Sequence, residues 1–220
     1  MYKMLLRKEK LRTISRENLE IFFHLIRIDN ALRSLMKMQV KLPQSDDNLE
    51  KFKDSMDLYF FNIGLFYEGV KKFFSSIYPR IPRSYISEAN LKAIESLKNR
   101  FENCENDDFL QVTKIIRDKV AFHFDLEVVS HNISDGEPKG DILIGYVKSK
   151  AIYDCIFLEP YTAIFTYIAN RCPNNLDDQN AIDWIRDTAI KEVDSFCKIL
   201  EQILNGFFKR IGKLVEGNIK

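Results

Sequence analysis

The chain has 220 residues, 45% of them hydrophobic and 30% charged, with a formal net charge of +1. That length supports one ordinary core over residues 1–220 without a second domain, and Pro 6 and Gly 8 are too few for an all-β protein dense in turns. Near-neutral charge excludes a whole-molecule field that would gather nucleic acid, so any such binding would rest on local clusters.

The first such cluster is at the start, where Lys3, Arg7, Lys8, Lys10, Arg12 and Arg16 face only Glu9. It reads either as a solvated helix end or as a phosphate contact. From Ser15, a capping residue, Leu19, Phe22, Phe23, Ile26, Leu32, Leu35 and Met36 recur at helical spacing, which predicts a helix ending near Leu42, before Pro43. A second helix is expected from the caps Ser45, Asp46 and Asp47 towards Tyr78, its apolar side running from Leu49 through Phe60, Phe66 and Val70 to Phe74. Gly64 and Gly69 inside it would let another helix approach closely.

Pro79 and Pro82 end that helix, and Ser84 or Ser87 caps a third carrying Leu91, Ile94, Leu97 and Phe101. After a loop over Asn103 to Asp108, a fourth helix is expected from about Asp108 to Val129. The polar stretch Ser130 to Gly140 breaks the pattern. Ile142 to Val147 and Ala151 to Leu158, separated by Lys148, Ser149 and Lys150, predict a small β-hairpin insert, with a buried helix as the competing reading. A short helix from Pro160 to about Arg171 and a turn over Cys172 to Asn175 follow. Asp177 or Asp178 then caps a last helix whose stripe Ile182, Ile185, Ala189, Val193, Phe196, Leu200, Ile203, Leu204, Phe207 and Ile211 is core or a dimer seam. The expected fold is mainly α, a bundle of helices with a small β-insert.

Cys104, Cys155, Cys172 and Cys197 stand far apart, without a paired motif or a neighbouring His, so no structural zinc is expected. The interruption of Met1 to Arg16 by charges lacks the order of a signal peptide, which predicts a cytoplasmic protein with reduced thiols. The most apolar stretch, Ile156 to Ala169, is broken by Glu159 and Pro160, so no membrane span is expected.

One constellation carries chemistry. At about 100° per residue, Val112, Ile115, Ile116, Val120, Phe122 and Leu126 share one arc of the fourth helix, and His123 projects into the middle of it. A ring nitrogen buried there without a partner costs on the order of 1 to 3 kcal/mol, so His123 requires a hydrogen-bond partner, a cleft or another subunit. A core histidine bonded to a backbone carbonyl is the plain alternative.

Arg117 is followed by the polar Asp118 and, after five intervening positions, by His123. This spacing, on a late helix of a helix-rich chain, resembles the signature of the HEPN family, Arg followed by four to six residues and His, and Ile116 to Asp125 is similar to wording that recurs around it. The fold resemblance extends over most of the chain, although the specific signal is about nine residues.

The resemblance implies an up-and-down helical bundle that cleaves RNA without metal or cofactor. It also implies a homodimer whose paired motifs form one cleft, in a family whose members act as toxins or in defence against phage. A cognate antitoxin is then an expected partner. His123 would be the general acid and base, Arg117 the bidentate ligand of phosphate, and Asp118 an orienting group or a surface partner of Lys114. Some members carry a tyrosine two residues after the histidine for nucleotidylation; here that place holds Asp125. On a straight helix Arg117 and His123 lie about 120° and about 9 Å apart, so the arginine folds over, the helix is irregular, or two protomers complete one site, and the composite site is the favoured expectation. The alternative class is a non-catalytic HEPN-like module that binds a protein, a nucleotide or RNA. His24 and His131 are read as structural or exposed, and the acidic clusters at helix starts as partners of the helix dipole.

Overall fold

The computed structural model describes residues 14–41, 48–121, 133–134, 137–138, 168–173, 176 and 178–211. Five α-helices account for most of them: α1 (Arg16–Lys41), α2 (Asn48–Lys72), α3 (Glu88–Glu102), α4 (Asp108–Ile115) and α5 (Asp178–Ile211). The mainly helical reading of the sequence is correct. The expected hairpin over 142–158 lies outside the described residues. The strands found among the described residues are a two-residue antiparallel pair, β1 (Ile133–Ser134) with β2 (Glu137–Pro138), in register Ile133 with Pro138.

Local chemistry explains where the helices start. Asn18 N–H donates to Ser15 Oγ at 3.3 Å, Asn90 N–H to Ser87 Oγ at 3.2 Å, and Leu110 N–H to Asp107 Oδ1 at 2.9 Å. Each side chain satisfies one of the amides that a first turn leaves without an intrahelical carbonyl. The end of α2 is less regular than its pattern implies. It widens into a π-helical turn, Phe73–Ile77, and tightens into a 3₁₀ turn, Tyr78–Arg80, that accommodates Pro79.

The core lies where α5 runs against the other helices. Its residues Phe196, Leu200, Ile203 and Phe207 are buried with Phe22, Leu25 and Leu32 of α1 and with Ile63, Phe66 and Val70 of α2. Phe196 meets Phe66 edge-on at 5.9 Å, Phe207 stacks on Phe22 at 3.3 Å, and Phe109 of α4 meets Trp184 at 6.4 Å between centroids. The phenylalanine stripes are therefore core, as their spacing indicates. Phe23 departs from that pattern: it is 61% exposed beside the buried Phe22. His24 is exposed as well.

Two glycines permit close packing. A Cβ on Gly69 would meet Ile28 Cγ2 at 3.2 Å and Phe196 Cε1 at 3.6 Å, the ends of side chains. At Gly206 the neighbour is backbone, the Tyr85 carbonyl oxygen only 2.1 Å away, so α5 crosses the 3₁₀ turn Arg83–Tyr85 at a distance that a side chain would forbid. Polar bonds fix the same neighbours. Buried Asn90 donates to the Ile199 carbonyl at 3.3 Å, and Arg100 forms ion pairs with Glu192 of α5 at 2.9 Å and with Asp107 at 2.6 Å. Among the described residues no helix is long and apolar enough to cross a membrane.

Candidate functional site

The motif lies on a helix that changes its winding. The Thr113 hydroxyl donates to the Phe109 carbonyl at 2.6 Å, a local bond that tends to bend helices, and Ile116 N–H is shared between the carbonyls of Val112 and Thr113. From there the chain follows a wider π-helical turn, Ile116–Ala121. Such turns are rare and frequent at functional sites. Of the three geometric alternatives for the motif, irregular winding is therefore present, and angles drawn on a straight helix do not carry through it.

This π turn packs along α2. Ile116 is buried in the core, and the next residue, Arg117, emerges at the seam between the two elements with its side chain 25% exposed. Its Nη1 bonds Asp118 Oδ1 and its Nη2 pairs with Glu68 Oε1 of α2. Both acidic side chains are partly exposed, but Glu68 Oε1 itself is buried, so its contact with Arg117 is an ion pair rather than a well-formed hydrogen bond. The hydrogen bond to Asp118, and then the charge and bond of Glu68, push the Arg117 pKa further up, against the partial burial that lowers it. Two bonds do not exhaust a guanidinium, which has five N–H donors.

Asp118 bonds its neighbour Arg117. His123 and His131 lie outside the described residues. The structure brings Arg117 and Asp118 together and adds two residues that the sequence reading did not select, Glu68 and Tyr67. Tyr67 is buried against Phe101, with ring centroids 5.2 Å apart, and burial first, then the proximity of Cys104 and Asp118, raises its hydroxyl pKa. Glu68 carried one signal: it is an acid between Tyr67 and Val70 on the apolar side of α2.

Two further polar features stand apart from the motif. A groove of about 440 Å³ is lined by Ser84, Tyr85, Ile86, Ser87, Gln202, Asn205, Gly206 and Lys209. Near the start of α5, Arg186 pairs with Asp183 at 2.8 Å and with Asp187 at 3.1 Å, within electrostatic reach of Tyr59, whose buried hydroxyl has no hydrogen-bond partner among the described residues. Among the described residues no group of three or more His, Cys, Asp or Glu side chains is placed to hold a metal ion. No family model, curated protein or solved structure matches the chain.

Proposed function

We propose that the chain is a metal-independent endoribonuclease of the HEPN type, acting as a homodimer, with His123 as general acid and base and Arg117 as the phosphate ligand. The observation that carries this reading is the motif in its setting. In the sequence a histidine follows an arginine after five intervening positions, in a chain whose described residues are mainly helical, and the guanidinium emerges at a partly buried seam. A histidine titrating near neutrality takes the proton of a ribose 2′-hydroxyl, the freed oxygen attacks the adjacent phosphorus, and the 5′-oxygen leaves with a proton. Arg117 offers the planar fork that matches the charge building on the phosphorane, a role that Lys fills poorly. The β-hairpin insert, a toxin or phage-defence role and a cognate antitoxin belong to the same proposal, which carries with it the cytoplasmic setting of an RNA-cleaving protein.

One observation favours the alternative, a non-catalytic module that binds a protein, a nucleotide or RNA. Arg117 already faces two carboxylates, which among the described residues outnumber its single positive charge. An assay on single-stranded RNA in EDTA separates the readings. The expected result is cleavage that leaves cyclic phosphate ends and is lost in a folded His123→Ala variant. Cleavage unchanged in that variant removes the catalytic assignment, and inertness of the wild type at concentrations that favour dimers moves the reading to the binding module.

A further inference from the structure

We infer that Glu68 controls access of phosphate to Arg117: it is a gate that an anion displaces, and it sets the affinity of the site. This inference rests on the reading of Arg117 as the phosphate ligand. Arg117 contributes one positive charge to the seam, while Glu68 and Asp118 contribute two negative charges, one through each terminal nitrogen of the guanidinium. Among the described residues, an approaching phosphate therefore meets a guanidinium whose charge is more than balanced, and it competes with the two carboxylates for the terminal nitrogens.

The two carboxylates are not equivalent. Asp118 is adjacent to Arg117 on the same turn, so it moves with the arginine and holds its fork in place. Glu68 belongs to α2, and its bond crosses between elements. Its side chain is 37% exposed although Oε1, the oxygen that faces Arg117, is buried, so a swing towards solvent uncovers that oxygen while α2 stays packed. Breaking the Glu68 pair frees one edge of the guanidinium for a phosphate and leaves the Asp118 bond as its anchor. The opposite assignment, with Glu68 as a fixed anchor that binding requires, makes the contrary prediction about its removal.

The test measures binding of a fluorescent single-stranded 2′-deoxy oligonucleotide, which presents phosphates but lacks the 2′-hydroxyl needed for cleavage. Replacing a carboxylate within one bond of the guanidinium by a neutral amide removes a unit charge at a partly exposed site, so Glu68→Gln is expected to bind about tenfold more tightly at low salt. The gain should vanish when Arg117→Met is added, or Arg117→Gln if the methionine variant does not fold, and thermal melts verify that each variant is folded. A Glu68→Gln protein that binds no more tightly than wild type, including no binding by either, overturns the inference. So does a gain that persists without Arg117, because it would then be a general charge effect. The parent reading is judged separately by RNA cleavage and its loss in His123→Ala. Cleavage without the Glu68 effect removes the gate alone, whereas the Glu68 effect without cleavage keeps an anion gate in a protein that is not a nuclease.

Discussion

Gly206→Ala isolates the closest approach in the fold. The added Cβ would lie 2.1 Å from the Tyr85 carbonyl oxygen, 3.0 Å from its carbon and 3.3 Å from its Cα, all backbone atoms that no rotamer change can move. Either α5 or the turn Arg83–Tyr85 must retreat by about an ångström to reach ordinary contact. That retreat loosens Tyr85 from Phe22 and Phe207, whose rings it meets at 5.5 and 5.8 Å. Overpacking of this kind costs about 1 to 3 kcal/mol, and weakened aromatic pairs add about 0.5 to 1.5 kcal/mol. Exchanging a helical Gly for Ala returns up to ~1 kcal/mol. The net expectation is a loss of about 2 kcal/mol, or a fall of about 4 to 8 °C in Tm for a domain of this size. Thermal and urea unfolding followed by circular dichroism would measure it, with Gly69→Ala as the control. There the new Cβ meets only side-chain ends, and the change should stay within about 1 kcal/mol of neutral. A Gly206→Ala protein as stable as wild type would refute the argument that this crossing requires a residue without a side chain.

Two more expectations concern buried polar groups. The Tyr59 hydroxyl is buried without a hydrogen-bond partner among the described residues, so Tyr59→Phe should stabilise the fold by about 1 kcal/mol in urea titrations, whereas an equal loss would mean that the hydroxyl is bonded. Burial pushes the Cys172 thiol up to about 11 and Cys197 up to about 12, in each case with a nearby aspartate adding to it. In a Cys155→Ser background, a thiol reagent at pH 8 should therefore label Cys104 well before those two, and equal rates would contradict their burial. The same shifts set a stability window. Thiol pKa values raised by folding give stability that is intact below about 9 and is lost as pH climbs through 11 to 12, because the unfolded chain releases those protons first. Chemical denaturation between pH 8 and 11 should show that decline, and Cys197→Ala should flatten it.

Local chemistry was legible in the sequence where it is sequential. Ser15, Ser87 and the acids before α4 announce helix starts because a cap and its amide are three residues apart. The stripe of α5 announces the core because its period is the helix's own. Phe23 misled for a related reason: adjacent apolar residues both fit a broad stripe, and only the position of α5 decides that Phe22 is covered and Phe23 is not. The π turns, Phe73–Ile77 at the end of α2 and Ile116–Ala121 after α4, have no sequence signature. Arg117 and Asp118 were legible as a motif, but their partner Glu68 comes from a distant helix and is chosen by tertiary packing. Gly206 was silent for the same reason, since its neighbour Tyr85 is brought to it only by the crossing of two elements.

The 34-residue α5, about 51 Å of helix, is the surface against which α1, α3 and α4 all pack. During synthesis those helices emerge before it. The parts of their apolar sides that face α5 stay uncovered by it until residues 178–211 have left the ribosome, and closing the core then joins the first described helix to the last. A nascent chain of this topology keeps apolar surface open to aggregation until α5 is made, and completing its core depends on a late, long-range event.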